Sequence, residues 1–167
     1  MKITLGTFFL LSALFLSSCS NAQNTITHED LNIVIGEWSG TLTYVDYRSN
    51  KPFTMPSDLI VENGGKKNQL FLFISYPNEP KANSREKIKI NKSGSQLNKK
   101  DVTSKQIMSN GNVHITIEYS GKDNGENATI RSVYIMGNNQ FIIRKEVKFE
   151  NSEEWLVRNE YKYSRKS

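Results

Sequence analysis

Apolar and polar residues alternate with a period of two along much of the chain after Gly36. In the first such stretch the apolar and small residues share one face: Trp38, Gly40, Leu42 and Tyr44. The residues between them are polar. Because successive side chains of a β-strand point to opposite sides, this alternation predicts a strand with one buried face and one face in water.

Similar runs follow, and most of them begin or end at residues that form tight turns. Asn63-Gly64, Asn110-Gly111 and Asn124-Gly125 favour the positive φ angles of short hairpins. The predicted strands after the first are Leu59–Glu62, Gln69–Tyr76, Glu86–Asn91, Lys105–Ser109, Asn112–Tyr119, Asn127–Met136, Gln140–Glu150 and Glu154–Ser164.

Strands joined by hairpins are antiparallel neighbours, since parallel pairing needs long crossovers for which the chain has no room. Closing such a meander into a barrel removes both exposed edges of the sheet. The sequence therefore predicts an all-β fold, a single up-and-down antiparallel β-barrel. A short helical turn capped by Thr27 precedes it. A β-sandwich is the alternative.

The same alternation predicts which residues face the inside of the barrel. They are Val113, Ile115, Ile117, Tyr119, Phe141, Ile143, Val147, Phe149, Trp155, Val157, Tyr161 and Tyr163. Lys145 and Asn159 interrupt these rows, and a buried amine or amide is costly without a partner. A β-bulge that shifts the register would remove the anomaly, and contact with a bound ligand is the other explanation.

The first 18 residues have the features of a signal peptide. Lys2 precedes an uncharged stretch from Leu5 to Leu16, which is shorter than the roughly 20 apolar residues that cross a bilayer. The stretch ends in Leu16-Ser17-Ser18-Cys19, a lipobox, so we expect Cys19 to become the acylated N-terminus. Residues 19–26 would then be the acylated cysteine and a tether, and residues 27–167 the barrel domain.

Several acyl chains, palmitate among them, hold such a lipoprotein permanently on a membrane. Ser20 is not the aspartate that typically retains lipoproteins in the inner membrane. We therefore expect an exported protein of the cell envelope, anchored in the outer membrane and facing the periplasm. Cys19 is the only cysteine in the sequence, so no disulfide can form within the domain.

Charge changes this interpretation little. The chain carries 22 basic and 17 acidic side chains, a formal charge of +5. In segments such as Arg144–Lys148 and Arg158–Lys162 the two signs alternate, which is typical of the solvated outer faces of strands. Nucleic-acid binding would require a stripe of one sign, so no nucleic-acid partner is expected.

Gly36-Glu37-Trp38 opens the first long strand and resembles the Gly-x-Trp signature of the lipocalin and fatty-acid-binding group. The resemblance implies a barrel whose closed end is covered by the indole, with an arginine or lysine of the last strand lying across it. Arg158 and Lys162 are the candidates by position.

The opening also resembles that of nitrobindin-type haem barrels, but the late histidine that binds iron there has no counterpart after His114. No cofactor is therefore expected.

A polar and aromatic cluster lies where the first strand ends. Tyr44 should point inward near the barrel mouth, and the apolar loop 49–55 that follows is a candidate lid or partner-binding patch. Packing of this loop into the barrel end as core is the alternative. The predicted ligand-binding residues are Trp38, Tyr44, Tyr47, Arg48, Phe53, Met55, Lys145 and Asn159.

Catalytic and metal-binding motifs are scarce in this chain. It has no Gly-x-Ser-x-Gly elbow and only two histidines, so we expect neither an enzyme nor a zinc site.

Two hypotheses remain for the function. In the first, a lipid-anchored, lipocalin-like barrel binds a small apolar or amphipathic ligand. In the second, side chains fill the barrel and a protein partner binds its mouth loops. The interior distinguishes them, since a small barrel is either filled by side chains or holds one ligand.

Overall fold

The computed structural model describes residues 24–166, so the predicted signal peptide and Cys19 lie outside the described residues. The strands are β1 (Gly36–Val45), β2 (Pro52–Asn63), β3 (Gln69–Ser75), β4 (Ser84–Lys89), β5 (Gln96–Leu97), β6 (Lys100–Ile107), β7 (Val113–Asp123), β8 (Glu126–Met136), β9 (Gln140–Phe149) and β10 (Leu156–Arg165). Helix α1 is His28–Asn32, and a 3₁₀ turn spans Pro80–Ala82.

The ten strands form one antiparallel sheet in the order β4-β3-β2-β1-β10-β9-β8-β7-β6-β5. The first and last strands pair side by side, with Trp38 opposite Arg165 and Tyr44 opposite Asn159. The seam lies between β4 and β5, where Ile90 and Leu97 form a single bridge. The predicted all-β barrel is confirmed as a nearly closed one, and the single sheet excludes the β-sandwich.

Local sequence explains how several of these elements begin and end. Thr27 and Asp30 form the capping box of α1, because each side chain accepts a hydrogen bond from the backbone N–H of the other residue. Asn124 and Gly125 both have positive φ, at 50° and 87°, and form the tight β7–β8 turn. No helix within residues 24–166 is long and apolar enough to cross a membrane.

The barrel end that carries Gly36 and Arg165, the closed end, is covered by α1 and the segment before it. Trp38 is completely buried there and donates its indole N–H to the carbonyl of Val34 at 2.9 Å. Arg165 lies across the indole, 4.2 Å from the ring centroid. A cation of the last strand thus covers the tryptophan, as the resemblance implies.

The two residues that the sequence suggested as the cation over the tryptophan are both wrong. Neither Arg158 nor Lys162 lies across Trp38, because Arg165 is the residue directly opposite it in the β1–β10 register. Lys162 is exposed, and Arg158 lies at the other end of the strand.

A register shift between Val157 and Asn159 marks a β-bulge in β10, but Lys145 and Asn159 remain paired beyond it, so the bulge does not remove the anomaly it was expected to explain. The bulge reverses the alternation before it, so the inward assignment of Trp155 and Val157 is wrong. Val157 is 43% exposed, and the Trp155 ring lies 3.8 Å from the guanidinium of Arg131 on the outer face. Arg158, the bulged residue, is buried instead.

Most of the predicted loop 49–55 belongs to β2. Phe53 pairs with Tyr44 and Met55 with Leu42, and Met55 is buried in the core. The assignment of residues 52–55 to a loop is therefore wrong. For Met55 the alternative of core packing is correct.

Candidate functional site

The barrel end that carries Val45 and Leu156, the mouth, is occupied by a network built around Asp123 at the end of β7. This carboxylate, whose side chain is 1% exposed, accepts hydrogen bonds from Lys145 at 2.7 Å and from Arg158 at 2.8 Å. The Tyr47 hydroxyl donates to it at 2.9 Å, and the Arg158 guanidinium lies 4.4 Å from the Tyr47 ring centroid. Tyr47, Asp123, Lys145 and Arg158 form what we term the mouth network.

Burial alone would raise the pKa of Asp123. The hydrogen bonds from Lys145 and Tyr47, and the charges of Lys145 and Arg158, outweigh burial and hold the pKa of Asp123 below its usual range. Burial and the bond to this carboxylate raise the pKa of Tyr47, so its hydroxyl stays protonated and continues to donate. The network therefore holds one ionised carboxylate that is shared by two basic side chains.

The mouth network explains why Lys145 can lie in an apolar row. Lys145 retains the inward parity despite the bulge, since it pairs with Asn159 beyond the register shift. Its ammonium is neutralised by Asp123. An internal ion pair, which the sequence did not reveal, therefore accounts for Lys145 without a ligand.

The structure does not bring the predicted ligand-binding residues together into one site. Trp38 is buried at the closed end, whereas Tyr47 and Lys145 belong to the mouth network. Arg48 is exposed, and Asn159 is partly buried. Near the mouth, Tyr44 packs against Phe53 with 5.5 Å between ring centroids.

A cavity of about 200 Å³, the side cavity, lies in the barrel wall away from both ends. Its apolar walls come from β3, β4 and β9, and its polar groups are two tyrosines of β8 and β10. The rim is formed by Glu86 and Lys87 of β4 and by Asn98. The lining residues are Leu72, Ile74, Glu86, Lys87, Ile88, Asn98, Tyr134, Ile143 and Tyr161.

The side cavity exists because strand pairing is incomplete at the seam of the barrel. β4 pairs with β3 but meets β5 at one bridge only, and β5 is two residues long. The chain then turns at Asn98 and Lys99, which have φ of 49° and 66°. The Asn98 side chain donates to the carbonyl of Lys87 at 2.9 Å and accepts from the N–H of Lys89 at 2.8 Å. This contact ends the seam and leaves a gap beside it.

Hydroxyl groups supply the polar chemistry of the side cavity. Burial raises the pKa of Tyr134 to about 12. Burial also raises the pKa of Tyr161, whose hydroxyl lies 2.8 Å from that of Tyr76. Both phenols are therefore neutral at physiological pH and can donate or accept hydrogen bonds. Glu86 adds a carboxylate at the rim.

The volume of the side cavity restricts what it can hold. Pockets for drug-sized ligands range from roughly 300 to 1,000 Å³, whereas an apolar cavity of about 150 Å³ is enough for benzene. The side cavity, at about 200 Å³, fits a molecule of the size of a substituted benzene ring. The side cavity is thus much smaller than a pocket for a drug-sized ligand.

Sequence reasoning missed this site, although part of its signal was visible. Ile143 and Tyr161 were predicted to face inward, but Tyr134 was not singled out. An inward-facing tyrosine places a polar tip inside the barrel, and the alternation in β8 and β10 assigns Tyr134 and Tyr161 to the inward rows. Within residues 24–166, no cluster of three or more His, Cys, Asp or Glu side chains could hold a metal ion.

No protein-family model matches the chain, and no curated protein matches it. One solved structure that it matches is described as "Crystal Structure of Rv2717c from M. tuberculosis". The match has a TM-score of 0.49 and 9% sequence identity, and it covers 86% of this chain and 99% of that chain. This similarity carries no information about a ligand or an activity.

Proposed function

We propose that the protein is a lipid-anchored, lipocalin-like binding protein that holds one small amphipathic molecule in the side cavity. One observation carries this proposal: a cavity with apolar walls and buried tyrosine hydroxyls opens through a gap in the barrel seam. Apolar pockets with a few convergent polar groups are typical of small-molecule sites.

The chemistry of the lining defines the class of ligand. Leu72, Ile74, Ile88 and Ile143 offer an apolar surface, which favours a single ring or a short branched chain. The neutral phenols of Tyr134 and Tyr161 favour a hydroxyl, carbonyl or similar group on that molecule. The small volume excludes haem and a long acyl chain lying wholly inside the side cavity.

The alternative function, a filled barrel that binds a protein partner through mouth loops, has weaker support. Phe53 and Met55, which were assigned to such a loop, lie in β2. The turn that remains is short, and Tyr47 within it is bonded to Asp123.

Calorimetric titration with two matched probes, benzyl alcohol and toluene, tests the proposal. The two probes share a ring, but only benzyl alcohol can bond to a phenol. We expect Tyr134→Phe to weaken benzyl alcohol binding by about fivefold to tenfold, the worth of one hydrogen bond, and to leave toluene binding unchanged. Ile143→Phe should reduce the binding of both probes because the added ring fills the cavity.

Tyr47→Phe is the matched control, since it removes a tyrosine hydroxyl at the mouth and should leave both affinities unchanged. Circular dichroism of each variant verifies that it is folded. Two results would overturn the side cavity as the ligand site. One is failure of either probe to bind the native protein, and the other is that Ile143→Phe leaves the affinity of both probes unchanged.

A further inference from the structure

The basic side chains are concentrated in one part of the chain. Between Asn63 and Lys100 lie nine of the 22 basic residues but only two of the 17 acidic ones. All nine are exposed, and none of them forms a salt bridge within the described part of the chain. They are Lys66, Lys67, Lys81, Arg85, Lys87, Lys89, Lys92, Lys99 and Lys100. The alternation of charges seen in β9 and β10 therefore does not extend to this segment.

Four of these lysines converge on a single groove of about 500 Å³ on the outer surface, beside the seam. Lys87 and Lys89 come from β4, Lys92 from the turn after it, and Lys99 from the β5–β6 turn. Its other lining residues are Asn68, Ile90, Asn91, Gln96 and Asn98, so no carboxylate lines it. We term this surface the lysine groove. Like charges held close together create a positive potential that attracts anions.

The N-terminal segment leaves the barrel beside the lysine groove. Ile26 donates its backbone N–H to the carbonyl of Gly94 at 2.9 Å, and Asn24 bonds through its side chain to Thr103 and Lys105 of β6. Residues 25–28 line a neighbouring groove together with Lys67 and Lys92. The start of the described chain is thus fixed next to Lys92.

The position of the N-terminal segment determines which side of the barrel an acyl anchor would hold near the membrane. This step rests on the proposed lipidation of Cys19. Only four residues lie between Cys19 and Asn24, so five Cα–Cα steps join the two. A chain of that length spans at most about 18 Å when fully extended. An acyl chain on Cys19 would therefore hold the Lys92 side of the barrel within about two Debye lengths of the lipid headgroups.

We propose that the lysine groove docks on the anionic headgroups of the membrane that holds the acyl anchor. Each lysine close to an anionic surface strengthens membrane association by about fivefold, and four of them act together here. Lys87 and Asn98 line both the lysine groove and the side cavity. Docking therefore places the opening of the side cavity beside the headgroups.

The experiment uses the acylated protein reconstituted into vesicles of phosphatidylcholine alone or of phosphatidylcholine with phosphatidylglycerol. A water-soluble amine-labelling reagent modifies exposed lysines, and peptide mass spectrometry measures the rate at each site. We expect Lys89, Lys92 and Lys99 to be labelled about tenfold more slowly on the anionic vesicles, and high salt to abolish the difference. Lys122 and Lys162, which are exposed elsewhere, serve as internal controls and should be labelled equally on both.

Two charge-matched variants sharpen the test, with Lys67 as the reporter. Replacing Lys87, Lys89, Lys92 and Lys99 by Gln should remove the protection of Lys67 on anionic vesicles. Replacing Lys51, Lys81, Lys122 and Lys162 by Gln should preserve it. Equal labelling of the groove lysines on both kinds of vesicle would overturn the proposal.

Flotation on the neutral vesicles reports on the anchor independently of the lysines. A protein that fails to float with phosphatidylcholine vesicles lacks the acyl anchor, which contradicts the lipidation of Cys19. Labelling on the anionic vesicles still measures lysine docking in that case, so the two failures are distinguishable.

Discussion

The two ends of the barrel are each closed by an arginine of β10 that lies over an aromatic ring, but the partners of the two arginines differ. At the closed end, Arg165 covers Trp38 and donates to the backbone carbonyls of Ile33, Ile35 and Asn138. At the mouth, Arg158 covers Tyr47 and pairs with the carboxylate of Asp123.

This difference in partners determines how each end of the barrel responds to acid. Carbonyl acceptors do not titrate, so the contacts of Arg165 are insensitive to acid. The mouth depends on a buried carboxylate whose loss would leave Lys145 and Arg158 without their counter-ion. Because both ends carry such contacts, the ligand proposed above would enter through the seam between β4 and β5.

Removal of the central carboxylate should have the largest effect on stability. Asp123→Ala leaves two cations next to a low-dielectric interior, and we expect the free energy of unfolding to fall by about 3–5 kcal/mol. Chemical denaturation followed by circular dichroism measures this loss. The matched control is Asp58→Ala, because Asp58 is 37% exposed and pairs with Lys166 at 3.3 Å, so its loss should cost less than about 1 kcal/mol. Equal losses for the two variants would contradict a buried ion network at the mouth.

Acidification should produce a smaller effect that depends on the same residue. The pKa of Asp123 is lower in the folded protein than its unfolded value of about 3.9, so its stabilising contribution is complete above that value. The contribution is lost as the pH falls through the folded pKa.

Asp123→Asn isolates this contribution, since Glu29 and Asp46 also have lowered pKa values. We expect the difference in free energy of unfolding between the native protein and Asp123→Asn to be constant above about pH 5 and to shrink below pH 4. Urea denaturation at a series of pH values measures it. A difference that does not change with pH would show that folding does not shift the pKa of Asp123, which contradicts its pairing with Lys145 and Arg158.

The alternation of side chains was enough to predict the barrel and its antiparallel order, because period-two runs and Asn-Gly turns are local signals. Two local exceptions caused the errors in the fold. Pro52 and Pro56 made β2 look like a loop, since proline is rare within strands. The bulge at Arg158 changed the parity of the residues before it, and no local signal in the sequence marks its position.

The candidate site was harder to predict, because it depends on contacts between distant segments. Asp123 reaches Arg158 across 35 positions of the sequence, and nothing local to Lys145 reveals that partner. The side cavity arises from the early end of pairing between β4 and β5, which is set by the turn at Asn98. The lysine excess between residues 63 and 100 was visible in the sequence. Its position beside the N-terminal segment follows only from the contact between Ile26 and Gly94.

Methyl NMR of isoleucine-labelled protein titrated with benzyl alcohol tests most directly whether a ligand binds in the side cavity. Ile74, Ile88 and Ile143 line the side cavity, whereas Ile117 and Ile130 face the interior nearer the mouth. We predict chemical-shift changes at the first three methyl groups and none at the other two. Changes centred on Ile117 and Ile130, with no change at the side-cavity methyl groups, would contradict the side cavity as the ligand site.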